Sequence, residues 1–117
     1  MVRKAALAIA LVAAPPAAAD TPDYFSTGNG LLQSCTNERD RFAYPLCLGY
    51  ISGAVQQLQL LQMLQPKQFA CIPAGVTNGQ IVDVVVKYLR DHPENRQWSA
   101  SFFVTNALVT AWPCAKK

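Results

Sequence analysis

Four cysteines and one histidine carry most of the chemical potential of this 117-residue chain. Cys35, Cys47, Cys71 and Cys114 are separated by eleven, twenty-three and forty-two residues. Structural zinc sites space their cysteine pairs two to four residues apart, so this spacing argues against a metal. An even number of cysteines in a small exported domain reads instead as two disulfides. With all four paired, none remains to act as a thiolate nucleophile. His92 stands beside Pro93, where a helix must stop, and a histidine there suits the last carbonyls and the helix dipole. Without a second histidine there is no histidine metal pair, and no G-x-S-x-G elbow precedes a helix. The seven acids are scattered. Asp83 and Asp91 flank Lys87 at i,i+4 spacing, the usual arrangement of a solvated helix face. Gly28-x-Gly30 follows no strand and is read as a helix start, not a phosphate loop. No catalytic, metal or cofactor-binding residue is expected, and the chain is read as a binder, not an enzyme.

The elements that position these residues follow from local signals. Arg3 and Lys4, the apolar run Ala5–Ala14, two prolines and Ala17-Ala18-Ala19 have the layout of a secretory signal peptide cut before Asp20. Ten apolar residues fall short of the roughly 20 that span a bilayer. The expected organisation is therefore a signal peptide over 1–19 and one exported domain over 20–117. Without Arg3 and Lys4, eight basic residues face seven acidic ones, too even a balance for nucleic acid.

Four helices are expected. Asp20 to Ser26 reads as a loose start, and Thr27 or Asn29 caps a first short helix to about Cys35. Thr36 to Tyr44 is charged and loop-like. Pro45 then opens a second helix to about Leu64. One face of it carries Cys47, Leu48, Ile51, Ala54, Val55, Leu58 and Leu61. The other carries Gly49, Gly53, Leu60 and Leu64. A helix apolar on two faces packs on both sides or meets a second subunit. Close packing within the domain is the expectation for Gly49-x-x-x-Gly53, with a dimer face as the alternative. The five glutamines from Gln56 to Gln65 exclude a lipid setting.

Thr77 with Gln80 forms a capping box for a third helix to about Asp91. A fourth runs from Ser99 to Pro113, and Phe102, Phe103 and Trp112 are spaced as core. No charge occurs from Gln97 to Ala115, which points to deep burial or to a covered face. The fold class is therefore all-α, a small disulfide-stapled bundle of about four helices. Cys47 and Cys71 flank a helix of nearly 30 Å at 1.5 Å per residue, too long for one bridge. The spans favour Cys35–Cys47 with Cys71–Cys114 and leave Cys35–Cys71 with Cys47–Cys114 open.

Several stretches taken together resemble a known family. They are Gly28-Asn-Gly-Leu-Leu-Gln-Ser-Cys35, Cys47-Leu-Gly-Tyr-Ile-Ser-Gly53, Cys71-Ile-Pro-Ala-Gly-Val-Thr-Asn-Gly-Gln80 and Val84 through Pro93, closed by Trp112-Pro-Cys114. The chain is similar over nearly its whole exported part to the Rap/Tai immunity proteins. That resemblance implies a periplasmic helical bundle with intramolecular disulfides, often a homodimer. It also implies a partner, a peptidoglycan-cleaving amidase effector of the type VI secretion system, which the protein binds and inhibits. No contact motif of the family transfers residue by residue. Candidate contacts are instead sought in two polar loops, each with one aromatic: Gln65 and Phe69 in the first, Glu94, Arg96 and Trp98 in the second. Core packing is the competing role for both aromatics. A different class of function also fits the two-sided second helix, a periplasmic structural or stress-related, chaperone-like dimer without a toxin partner.

Overall fold

A computed structural model describes residues 9–14 and 23–115. The expected cleavage site and most of the expected signal peptide lie outside them. Residues 9–14 form no regular element.

The described residues form four α-helices and one short 3-10 turn: α1 (Gly28–Thr36), α2 (Ala43–Leu64), α3 (Asn78–Asp91) and α4 (Ala100–Ala111), with Pro93–Asn95 turning between α3 and α4. There is no named strand among the described residues. Two isolated bridges, Thr27 with Ser99 and Ala70 with Pro113, tie loops together instead. Each helix touches the other three. Their shared core holds Leu31, Cys47, Ile51, Val82, Val85, Leu89, Phe103 and Leu108, all essentially inaccessible.

Of the start expected to be loose, residues 23–26 are described, and these are tied down. Asp23 accepts from the Phe25 and Ser26 backbone N–H groups at 3.2 and 3.1 Å and from the Ser26 hydroxyl. These bonds to the ionised form hold its carboxyl below the usual aspartate value, the Ser26 hydroxyl contributing most. Tyr24 is buried beside it. Thr27 then caps α1 by accepting from Gly30 N–H at 3.2 Å. Two glycines here allow close approach. A Cβ at Gly28 would lie 2.7 Å from the Phe103 ring, and one at Gly30 2.3 Å from the Asp23 carbonyl oxygen.

The second helix begins two residues earlier than Pro45. The Asp40 side chain accepts from Phe42 N–H at 2.9 Å and its carbonyl from Ala43 N–H at 3.1 Å. Pro45 occupies the third helical position, where a missing N–H leaves no intrahelical bond unmade. The face with Cys47, Ile51, Val55 and Leu58 is buried as its periodicity requires. Leu61 is exposed, because α2 outlasts the elements packed on it. The expected close packing of Gly49 and Gly53 is corrected: nothing lies within 4 Å of a Cβ at either.

Thr77 and Gln80 close the capping box of α3 in both directions, at 2.8 and 3.2 Å. Phe102 departs from the core role its spacing suggested. It is 38% exposed, while its neighbour Phe103 is wholly buried. Consecutive helix positions point about 100° apart, so only one of the pair faces the core. The bridges are Cys35–Cys47 and Cys71–Cys114. The first joins α1 to α2, and the second joins the loop after α2 to the segment after α4.

Candidate functional site

The loop that leaves α2 is polar at its tip and fixed at its base. Gln65, Pro66, Lys67 and Gln68 are exposed. The Gln62 side-chain oxygen, in the last turn of α2, accepts from Phe69 N–H at 2.7 Å and Ala70 N–H at 2.8 Å. Cys71 N–H donates to the Trp112 carbonyl at 2.8 Å. The Cys71–Cys114 bridge, with Cα atoms 5.0 Å apart, closes the base. Three ties thus hold a six-residue loop: the Gln62 clamp, the Ala70–Pro113 bridge with its Cys71 bond, and the disulfide. Phe69 is half-buried against the core, and the Lys67 ammonium lies 5.7 Å from its ring centre. A cleft of about 300 Å³ opens beside the loop, lined by Leu58, Gln59, Gln62, Gln68, Ala70, Cys71 and Ile72.

The second loop is bound to α1. Gly28 N–H donates to the Trp98 carbonyl at 2.8 Å and Asn29 N–H to the Arg96 carbonyl at 2.9 Å. The Arg96 guanidinium donates through Nε to the Leu89 carbonyl at 2.7 Å and through Nη2 to the Arg90 carbonyl at 3.4 Å. It therefore caps the C-terminal end of α3, where a cation is favoured. Trp98 is 46% exposed and meets Phe102 edge-on, with centroids 5.1 Å apart. Glu94 is exposed.

The sequence-predicted contacts therefore fall into two groups. Gln65 and Phe69 lie at the C-terminal end of α4, Glu94, Arg96 and Trp98 at its N-terminal end. The twelve residues of α4 hold these ends about 18 Å apart at 1.5 Å per residue. Sequence reasoning missed Phe102, which shares the exposed aromatic surface with Trp98. The signal available was its position one residue before Phe103, on a helix whose core stripe cannot take both.

The His92 Nδ1 sits 2.8 Å from the Tyr88 carbonyl, and its ring stacks on Tyr88 at 4.0 Å. That is a capping arrangement, as its place in the sequence suggested. Lys87 pairs with Asp91 at 2.6 Å, with both side chains largely in water. The hydrogen bond from Lys87 holds the Asp91 carboxyl below its usual value. Tyr50 is pushed upward by burial, partly offset by a hydrogen bond with Ser101. No cluster of three His, Cys, Asp or Glu residues able to hold a metal occurs among the described residues. No helix among them is long and apolar enough to cross a membrane. The arrangement offers two anchored, uncharged-to-weakly-basic projections.

The family model described as Rap1a immunity proteins matches residues 27–114, from the cap of α1 to the last cysteine. Neither a curated protein nor a solved structure matches the chain.

Proposed function

The chain belongs to the Rap1a immunity protein family, and from that premise we propose that it is a periplasmic inhibitor of a peptidoglycan-cleaving amidase delivered by a type VI secretion system. Residues 1–19 are its signal peptide in this reading, and 20–117 its working domain. The family is one of immunity proteins, which act on secreted effectors by binding them. No residue of this chain performs chemistry. The Gln65–Ala70 loop enters the effector cleft and excludes substrate.

One observation carries the choice of loop: it is an exposed polar tip on a base held by Gln62, Cys71 and the disulfide. A loop ordered before binding loses little conformational entropy on binding, which is how a short projection reaches tight affinity. Gln65, Lys67 and Gln68 supply the polar contacts and Phe69 the apolar one. Trp98 with Phe102 provides a second contact area about 18 Å away, with Glu94 at its edge. Arg96 acts there through its hold on α3. A second copy of the chain is the other partner that the family resemblance implies.

The test is titration of a co-encoded secreted amidase on peptidoglycan with the oxidised protein. Stoichiometric loss of activity is expected. Lys67→Glu with Gln68→Arg, both on the exposed tip, should weaken inhibition at least about tenfold, as reversed contacts in a desolvated site do. Full inhibition by this variant and by Trp98→Ala would sink the contact assignment. The exposed apolar side of α2 favours one other reading, a chaperone-like periplasmic protein. It predicts that the protein suppresses aggregation of unfolded clients, and inhibition of an amidase without such suppression removes it.

A further inference from the structure

The two disulfides of this chain sit in opposite surroundings. Cys35 shows 8% of its surface and Cys47 none, within the core where α1 meets α2. Cys71 is exposed and Cys114 partly so. Two clefts open on the outer pair. The cleft of about 300 Å³ beside the Gln65–Ala70 loop reaches Cys71. Another of about 280 Å³, lined by Pro66, Gln68, Cys114 and Ala115, reaches Cys114. Among the described residues, neither is lined by a charged side chain. Cys35 also borders a cleft, but there Glu38 and Asp83 stand against a single Arg90. The species that attacks a disulfide is a thiolate. It is repelled by the two carboxylates beside Cys35 and meets no acid in the clefts of the outer bridge.

The Gln68 carboxamide lies beside both outer sulfurs, its oxygen 3.2 Å from Cys71 Sγ and 3.9 Å from Cys114 Sγ. Turned about its last bond, the same group offers an N–H to a thiolate released on either cysteine. The surroundings are also arranged to outlast the bond. The Gln62 oxygen still holds Phe69 and Ala70, and Cys71 N–H still donates to the Trp112 carbonyl. These bonds keep the two cysteine-bearing segments side by side. The chain has four cysteines, and the other two are joined to each other. Thiols freed at Cys71 and Cys114 therefore find only one another when the bridge closes again.

We propose that Cys71–Cys114 is a thiol-exchange site, opened on the folded domain by an exported protein dithiol while Cys35–Cys47 stays intact. A thiolate of the dithiol attacks one of the two outer sulfurs. A new S–S bond forms to that cysteine as the old one breaks, and the other cysteine leaves as a thiolate that takes up a proton. The second thiol of the partner, after losing its proton, attacks the partner's own sulfur in the mixed disulfide and releases the remaining cysteine. Two electrons have then passed to this chain, which holds two thiols, and the partner holds a disulfide. Selection between the bridges is by rate. The outer one is attacked directly, the inner one only after the core opens locally. In the open form the Gln65–Ala70 loop keeps its hydrogen bonds and loses its covalent tie. Thiol exchange stands apart from the immunity reading above; its consequence for inhibition rests on that reading.

The test is reduction of the oxidised chain without denaturant by dithiothreitol and, separately, by a thioredoxin, quenched at intervals with iodoacetamide and read by peptide mass spectrometry. Cys71 and Cys114 are expected to be alkylated at least about tenfold faster than Cys35 and Cys47. The helical circular dichroism of the chain open at the outer bridge should match that of the parent, and removal of the reductant in air should restore the bridge. Equal rates, earlier opening of the inner bridge, or loss of the helical signal with the first reduction overturn the site. Opening by dithiothreitol but not by the thioredoxin overturns exchange with a protein. Gln68→Glu sets a carboxylate beside the sulfurs and should slow opening about threefold, while Gln68→Lys should speed it about as much. Gln68 is exposed, and unchanged melting temperatures confirm folded variants. Rates that do not move in opposite directions overturn the part given to Gln68. In the amidase titration, the chain carrying Cys71→Ser with Cys114→Ser should inhibit at least about fivefold less tightly, since its loop must be ordered on binding. Inhibition equal to that of the parent overturns the regulatory consequence. A selectively opened bridge in a chain that inhibits no co-encoded amidase removes the immunity reading and leaves the exchange site standing.

Discussion

At the scale of single residues, the tightest constraints sit where the chain enters α1. A methyl group at Gly30 would lie 2.3 Å from a backbone oxygen, and backbone gives way far less than a side-chain tip. Gly30→Ala is expected to destabilise by about 1–3 kcal/mol, the range of overpacking with backbone displacement. Gly79→Ala, with only the Thr77 hydroxyl at 3.9 Å, should be neutral or stabilise by up to about 1 kcal/mol through helix propensity. Thermal melts of the two variants decide this. Arg96 is the other informative residue. As a polar side chain in a turn it reads as a contact, yet its fork is occupied by the Leu89 and Arg90 carbonyls. Arg96→Ala should therefore lower stability by about 1 kcal/mol, the net worth of such bonds. Glu94→Ala should leave the melting temperature unchanged, since Glu94 is exposed. Equal effects of both changes would contradict the capping role.

Elements tell a different story from residues, because pattern reaches further than side-chain detail. The Thr77–Gln80 box, the i,i+4 pair Lys87–Asp91 and the Pro93 stop each act within one turn, so α3 was legible from its own residues. The start of α2 was less so: Pro45 is a strong local signal, but Asp40, five residues earlier, provides the actual first bonds. Gly49 and Gly53 were misplaced for a related reason. Periodicity states which residues share a face and is silent on whether anything covers it. The separation of the two candidate loops was likewise hidden, since only the packed length of α4 reveals it. Disulfide spans do carry a quantitative expectation at this scale. Cys71–Cys114 encloses a separation of 43 residues and Cys35–Cys47 one of 12. On the chain-entropy account these are worth about 4 and about 3 kcal/mol. Replacing both cysteines of each bridge by serine in turn, and comparing denaturant midpoints, should show the longer loop costing about 1 kcal/mol more.

For the molecule as a whole, pH acts through carboxylates. Asp23 and Asp91 both have values depressed in the folded state. Their contribution is therefore present above the ordinary aspartate value of about 3.9 and is lost as pH falls through the lower folded values. Stability should be flat from neutral pH down to about 5 and decline below about 4. Asp23→Asn should flatten that decline, because the ionised Asp23 carboxylate accepts the Phe25 and Ser26 bonds in the segment leading into α1. Equilibrium unfolding across this range checks it, and an acid limb unchanged in Asp23→Asn would reassign the dependence to other groups.

The order of the bridges along the chain has a consequence for maturation. In a chain that reaches an oxidising compartment N-terminus first, Cys35 and Cys47 arrive together and need close only a short loop. Cys71 arrives next, and its partner follows 43 residues later, after α3 and α4. During that delay Cys71 is a free thiol in the presence of whatever oxidant is at hand. Early closure of the first pair removes both internal competitors, leaving Cys114 as the sole cysteine with which Cys71 can pair. The nearness of Cys35 to Cys47 thus favours correct connection, and the Gln65–Ala70 loop gains its covalent tie only at the final oxidation step.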